Sequence, residues 1–134
     1  MIACPTVHHH SLLNTDYITG YKTDSNSYAS VIYGDNIIPI NEVDQVRCVK
    51  LNNGLKCITG SFVASDEIHP NNLIMTLPDE FSLAINGTVY QKWIQIISCN
   101  NGISYNCLFL DKRIIGWGGW TIPKGEILSI YLLY

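Results

Sequence analysis

This sequence predicts an all-β fold, an antiparallel β-sandwich or jelly-roll-like barrel, on three observations. No segment longer than about eight residues keeps the spacing of an amphipathic helix. Turn-forming clusters of Gly, Pro, Asn and Asp recur about every 8 to 15 residues from Gly34 onward. Three Asn-Gly dipeptides, Asn53-Gly54, Asn86-Gly87 and Asn101-Gly102, each divide runs rich in β-branched and aromatic residues, as hairpin turns do in sandwiches and barrels.

The elements follow in order. Residues 1–27 hold no period, and from Asn14 onward they are dominated by turn formers, so they read as an arm. Ser27 to Ile40 gives two short β-prone runs broken at Gly34-Asp35, with Pro39 confining the second to an edge or a strand end. Residues 1–44 are thus an arm with lead-in strands, serving attachment or trimer contacts, and residues 45–134 a barrel head. Within the head, Asn53-Gly54 suits a two-residue type I′ turn that pairs Val46–Leu51 with Leu55–Ala64. Gly60, inside the second arm, marks a bulge or the close approach of another backbone. Leu73–Leu77 is a strand that Pro78 stops. Phe81–Ile85 and Thr88–Ile97 flank the second Asn-Gly, and the third leads into Ser104–Leu110. Asp111-Lys112-Arg113 and Pro123-Lys124-Gly125 are turns, and Glu126–Tyr134 is a last strand too apolar to fray into water, hence central or at an interface.

At 134 residues the chain fits one domain with its own core. Charged residues are 14% of it, against about 25% in ordinary soluble domains, and so few charges favour a surface covered by other subunits, a homo-oligomer. The net charge of −3 and the scattered single Lys and Arg residues exclude a duplex-binding stripe, so nucleic acid is not an expected partner. Neither a secretory signal nor a run of about 18 apolar residues is present, so synthesis in a cytoplasm without membrane insertion is expected. The five cysteines, at positions 4, 48, 57, 99 and 107, have no zinc spacing and read as reduced, mostly buried thiols. A bridge within either hairpin, Cys48 to Cys57 or Cys99 to Cys107, is the lesser alternative. No metal or other cofactor is expected. His8 and His10, which would share a face of an extended strand, come nearest to a metal pair, but a solvated arm or a tag remnant explains His8-His9-His10 more simply.

Enzymatic function finds no support in the sequence. There is no Gly-x-Ser-x-Gly and no Cys/His pair with an orienting group beyond Cys4 near His8. The loop carboxylates Asp66, Glu67, Asp79 and Glu80 read as solvated rather than catalytic.

Two motifs in fixed order carry a resemblance. Gly60-Ser61-Phe62-Val63-Ala64, a polar loop, then Thr76-Leu77-Pro78-Asp79-Glu80-Phe81 resembles the G-S-F-x-A and T-L-P-x-x-F pattern of C-terminal head domains in bacteriophage tail-fibre and baseplate receptor-binding proteins. The likeness runs from about residue 45 through Ile97-Ser98-Cys99-Asn100-Asn101-Gly102 to the closing Ile122–Tyr134. It implies a compact barrel or jelly-roll, trimeric about a threefold axis, that projects from a virion and binds a host-surface saccharide or protein. The long shaft that precedes such heads is missing from residues 1–44. A capsid decoration or head-fibre protein, docking on another virion protein through residues 1–27, is therefore the alternative. For a saccharide, whose C–H face stacks on aromatic rings, the candidate contacts are Trp117, Trp120 and Tyr105, with a polar rim from Asn100, Asn101 and Asp111. Trp93 is a fourth candidate ring; taken singly, Trp93 is more simply read as core and Trp117 and Trp120 as filling the interface between subunits.

Overall fold

A computed structural model describes residues 29–83, 87–88 and 90–134. The expectations for Cys4, for His8 and His10 and for a docking arm in residues 1–27 fall outside that range.

Ten strands and one short 3-10 turn make up the described chain. They are β1 (Ala29–Ser30), β2 (Ile32–Tyr33), β3 (Ile37–Pro39), β4 (Arg47–Lys50), β5 (Lys56–Ala64), β6 (Leu73–Thr76), β7 (Gln91–Ser98), β8 (Ser104–Leu110), β9 (Arg113–Gly116) and β10 (Ile127–Leu133), with the 3-10 turn at Asp79–Phe81. The strands form one sheet in the order β1-β4-β5-β10-β7-β8-β9-β6-β2, and β3 pairs β5 off this path. All strand pairings are antiparallel. β1 and β2 stand at the two ends of the order yet are separated in sequence only by Val31, so residues 29–33 draw the sheet into a nearly closed barrel. The all-β expectation holds, in the form of a single wrapped sheet.

The barrel fills with the inward residues of each strand. Ile94, Ile96, Tyr105, Cys107 and Phe109 alternate inward along the β7–β8 hairpin, and Ile58, Phe62, Met75, Ile114, Leu128 and Ile130 meet them in one cluster. Period-two alternation is how a strand presents one face to a core.

β5 is the organising strand. β10 pairs with it over seven residues, from Ile127↔Val63 to Leu133↔Cys57, while its other edge is shared by β4, at residues 56–59, and β3, at residues 62–64. The chain crosses between those partners at Asp44–Val46, where Ser61 N donates to Asp44 O at 2.6 Å. A Cβ on Gly60 would lie 2.3 Å from Val46 Cα, so the close approach read from the sequence is what the glycine permits. The last strand is central, as expected, lying between β5 and β7.

Several local expectations are corrected. The Asn53-Gly54 connection is a three-residue loop, not a two-residue type I′ turn: Gly54 N donates to Leu51 O and Leu51 N to Leu55 O, and only Gly54, at φ 86°, takes a positive φ. A type I turn followed by a left-handed glycine gives this geometry. Phe81, expected to open a strand, is the buried end of the 3-10 turn, because Pro78 turns the chain inward there. No disulfide joins Cys48 to Cys57, which point to opposite faces of the sheet, since Cys48 opposes Ile58 while Cys57 opposes Val49. Cys107 is free and buried. Cys99 departs from the reduced state expected of all five and is disulfide-bonded, though not to Cys107.

Candidate functional site

The outward residues of β7, β8, β9 and β6 form the most distinctive surface of the described barrel. Trp93 opposes Leu108, Leu108 opposes Ile115, and Ile115 opposes Leu73, so an apolar row crosses four strands, exposed at its two ends and covered at Leu108, which is 8% exposed. Three steps of about 4.8 Å make that row roughly 14 Å long. Beside it runs a second row, in which Gln95 opposes Asn106 and Trp117 N donates to Asn106 O at 3.1 Å. Trp93 and Trp117 meet edge to face, with ring centroids 5.6 Å apart and planes at 61°. Both are open to solvent, Trp93 at 56% and Trp117 at 47%. Trp93 is therefore a surface residue, against the core reading. Its strand alternates Trp93, Gln95, Ile97 outward and Ile94, Ile96 inward, the latter two paired with the buried Cys107 and Tyr105.

The polar groups next to the rings are ordered. Gln95 Nε2 donates to Asn106 Oδ1 at 3.2 Å, which fixes both amide orientations and directs their remaining donor and acceptor capacity outward.

Trp120 and Tyr105 support this face from behind. Tyr105 is buried, and Trp120 meets it edge to face at 5.4 Å. Trp120 Nε1 donates to Asn106 O and to Trp117 O, at 3.1 and 3.0 Å. Its ring lies where a Cβ on Gly116 would be, 2.6 Å from Cη2. The Trp117-Gly118-Gly119-Trp120 loop is thereby pinned, with Trp117 outward and Trp120 folded back.

The expected polar rim divides between the two ends of β8. Asn100 and Asn101 precede the strand and serve the loop: Asn100 Oδ1 accepts from Ile127 N at 2.9 Å and Asn101 Oδ1 from Ile103 N at 2.9 Å. In the same loop Ser98 Oγ bonds Glu126. Asp111 follows the strand, seven residues further on, or roughly 23 Å at about 3.3 Å per residue. It holds the first position of the β8–β9 turn at φ 56° and bonds Ser82 Oγ. The structure does not bring Asp111 together with Asn100, Asn101 or the Trp pair.

Around Asp111 lies a separate polar depression, lined by Lys56, Asp79, Glu80, Ser82 and Lys112. Lys112 Nζ bonds Asp79 at 2.7 Å and holds that carboxyl below the usual carboxylate range. Glu67 pairs with His69 at 3.0 Å. Among the described residues no three His, Cys, Asp or Glu side chains converge on a metal position, and no helix is long and apolar enough to cross a membrane.

Searches against protein-family models, curated proteins and solved structures find no match to this chain.

Proposed function

We propose that this chain is the head module of a bacteriophage virion fibre, that it assembles as a homotrimer, and that it binds a saccharide of the host surface through the outer face of β7, β8 and β9. The exposed Trp93–Trp117 pair, set beside the ordered amides of Gln95 and Asn106, carries the reading. Apolar ring faces and nearby amides are what a sugar needs, the first for its C–H face and the second for its hydroxyls. The low charge of the chain favours self-association. Burial of the last strand does not bear on it, because β10 is covered by its own barrel.

The test pairs binding with mass. Light scattering should give three times the chain mass, and a broad glycan array should return a saccharide whose binding falls at least about tenfold, or about 1.4 kcal/mol, in Trp93→Ala and Trp117→Ala. A folded protein blank on the array and on host cells would refute saccharide binding. A monomer would refute the fibre-head assembly.

A further inference from the structure

We propose that this recognition face takes a linear, uncharged glycan chain, laid across β7, β8, β9 and β6 and ending in a cavity beside β2. The proposal rests on the saccharide reading above and extends it from a ring-stacking point to a groove with a direction.

The apolar row does not stop at β9. Leu73, 38% exposed, ends the row and also lines a cavity of about 330 Å³ together with Ile32, Tyr33, Asp35, Asn36 and Asn72. Ile32 is itself 72% exposed, so the floor stays apolar to the mouth of the cavity. One wall is the turn after β2, and it is rigid. Gly34 N donates to Ile74 O at 2.9 Å, Ile37 N to Gly34 O at 3.1 Å, and Asn36 Nδ2 to Glu67 O at 2.8 Å. A Cβ on Gly34 would fall 1.9 Å from Leu73 O, so only glycine lets the turn close down on β6. On the opposite side Asn72 Oδ1 accepts from His69 N at 2.8 Å, which orients the amide, and Gly116 N donates to Asn72 O. That last bond places Asn72 next to the residue preceding Trp117. The Trp pair and the cavity are thus two ends of one strand-crossing row: amides and rings at one end, amides and a carboxylate at the other, and between them the half-buried Ile115 and Leu108, which is 8% exposed and forms the floor.

Charge selects the class of chain. The row Trp93, Leu108, Ile115, Leu73 is uncharged, and Asp35 brings a carboxylate to the cavity lining. A carboxylate accepts strong hydrogen bonds from sugar hydroxyls and repels sialylated or phosphodiester-linked chains, which is discrimination by an unfavourable contact. Arg113 lies one row farther along, level with Leu110 and Thr76 and on the side away from Asn106. It does not interrupt the path from Trp93 to Asn72.

The test uses the full chain and tryptophan fluorescence, with neutral hexose and N-acetylhexosamine oligomers of increasing length and sialylated and phosphodiester-linked oligomers as competitors. Affinity should rise at least about tenfold from disaccharide to tetrasaccharide in the best neutral series. Asn72→Ala and Leu73→Ala should remove most of that gain while leaving the disaccharide unchanged, and Asp35→Asn should admit the anionic oligomers. Trp93→Ala should weaken every length. Binding that is independent of length, or a tetrasaccharide indifferent to Asn72→Ala in a protein of native circular dichroism, overturns the groove and leaves the stacking site standing. No response to any oligomer overturns both. A fall in solution mass in Leu73→Asp would show that a second copy covers this face, which also overturns the proposal.

Discussion

At Gly60 a methyl group has no room. The added carbon would meet Val46 Cα at 2.3 Å and Gln45 O at 2.4 Å, both backbone, at a φ of 148°. Gly54 also has a positive φ, 86°, but nothing lies within 4 Å of its Cβ position. Gly60→Ala should therefore cost about 3 kcal/mol or more, through a clash the main chain cannot relieve, and Gly54→Ala only about 1 kcal/mol of left-handed strain. Urea midpoints measure both, and equal losses would mean that the crossing at Asp44–Val46 does not press on β5. The buried thiols give a pH-dependent prediction. Burial pushes Cys48 and Cys107 up to about 12, above the ordinary thiol value of about 8.5. Between those values the unfolded chain has lost protons that the folded chain keeps, so stability is complete below about pH 8.5 and falls as pH rises. The slope should approach about 1.4 kcal/mol per pH unit for each thiol. Urea titrations at pH 8 and pH 10 should show the loss, and Cys48→Ala with Cys107→Ala should flatten it. A thiol reagent should reach Cys48, Cys57 and Cys107 only in denaturant, since all three are buried.

Among the elements, β10 is a core strand, lying between β5 and β7. Tyr134, just past it, donates its hydroxyl to Phe81 O at 2.5 Å, sets its ring edge against Phe109 at 5.4 Å, and exchanges backbone bonds with Lys56. Burial lifts its phenol above the ordinary tyrosine range. Tyr134→Phe should cost about 1 kcal/mol, the net worth of one hydrogen bond, and Tyr134→Ala roughly 3 kcal/mol, because the ring packing goes as well. Thermal melts of the two variants check this, and equal losses would put all of Tyr134's contribution in the hydroxyl. That the last strand is internal was legible, because Ile-Tyr-Leu-Leu-Tyr at an edge would have left apolar side chains in water. The hairpins at Asn53-Gly54 and Asn101-Gly102 were legible, though not the loop length, which depends on whether the asparagine also takes a positive φ. Asn53 does not. The hairpin expected at Asn86-Gly87 is overturned, because Asp79–Phe81 is a 3-10 turn and β7 pairs with β8 and β10 instead. Of the site, Trp117 could be singled out from composition and its flanking glycines. Gln95 and Asn106 could not, and Trp93, though a candidate ring, was more simply read as core, because alternation shows that a strand has two faces without saying which one meets the core. That choice is made by pairing with β8, which sets Ile94 and Ile96 against Cys107 and Tyr105 and turns Trp93 out. The separation of Asp111 from Asn100 was readable, since the seven-residue strand between them was already visible.

For the molecule as a whole, closure depends on its shortest strands. β5 and β10 share seven residue pairs, whereas β1 and β2 contribute two pairs each to β4 and β6. The other neighbours in the sheet order are tied by a hairpin, by β10 or, between β6 and β9, by three residue pairs, so residues 29–33, with two pairs on either side, form the weakest seam of the described sheet. One further bond crosses it: Val46, buried, donates its N–H to Tyr33 Oη at 3.0 Å. Tyr33→Phe removes the acceptor and strands a buried donor, a loss of about 1 to 3 kcal/mol. Amides with few buried contacts exchange by local opening, and those of the central strands only by global unfolding. Hydrogen exchange should therefore be fastest at residues 29–33, slowest at 56–64 and 127–133, and in Tyr33→Phe it should accelerate mainly at 29–33 and 44–47. If the variant loses protection equally across β5 and β10, the barrel unfolds in one step and has no seam. If the loss stays local, the edge between β1 and β2 is a hinge in an otherwise continuous sheet, and it lies next to the cavity that Tyr33 and Leu73 line.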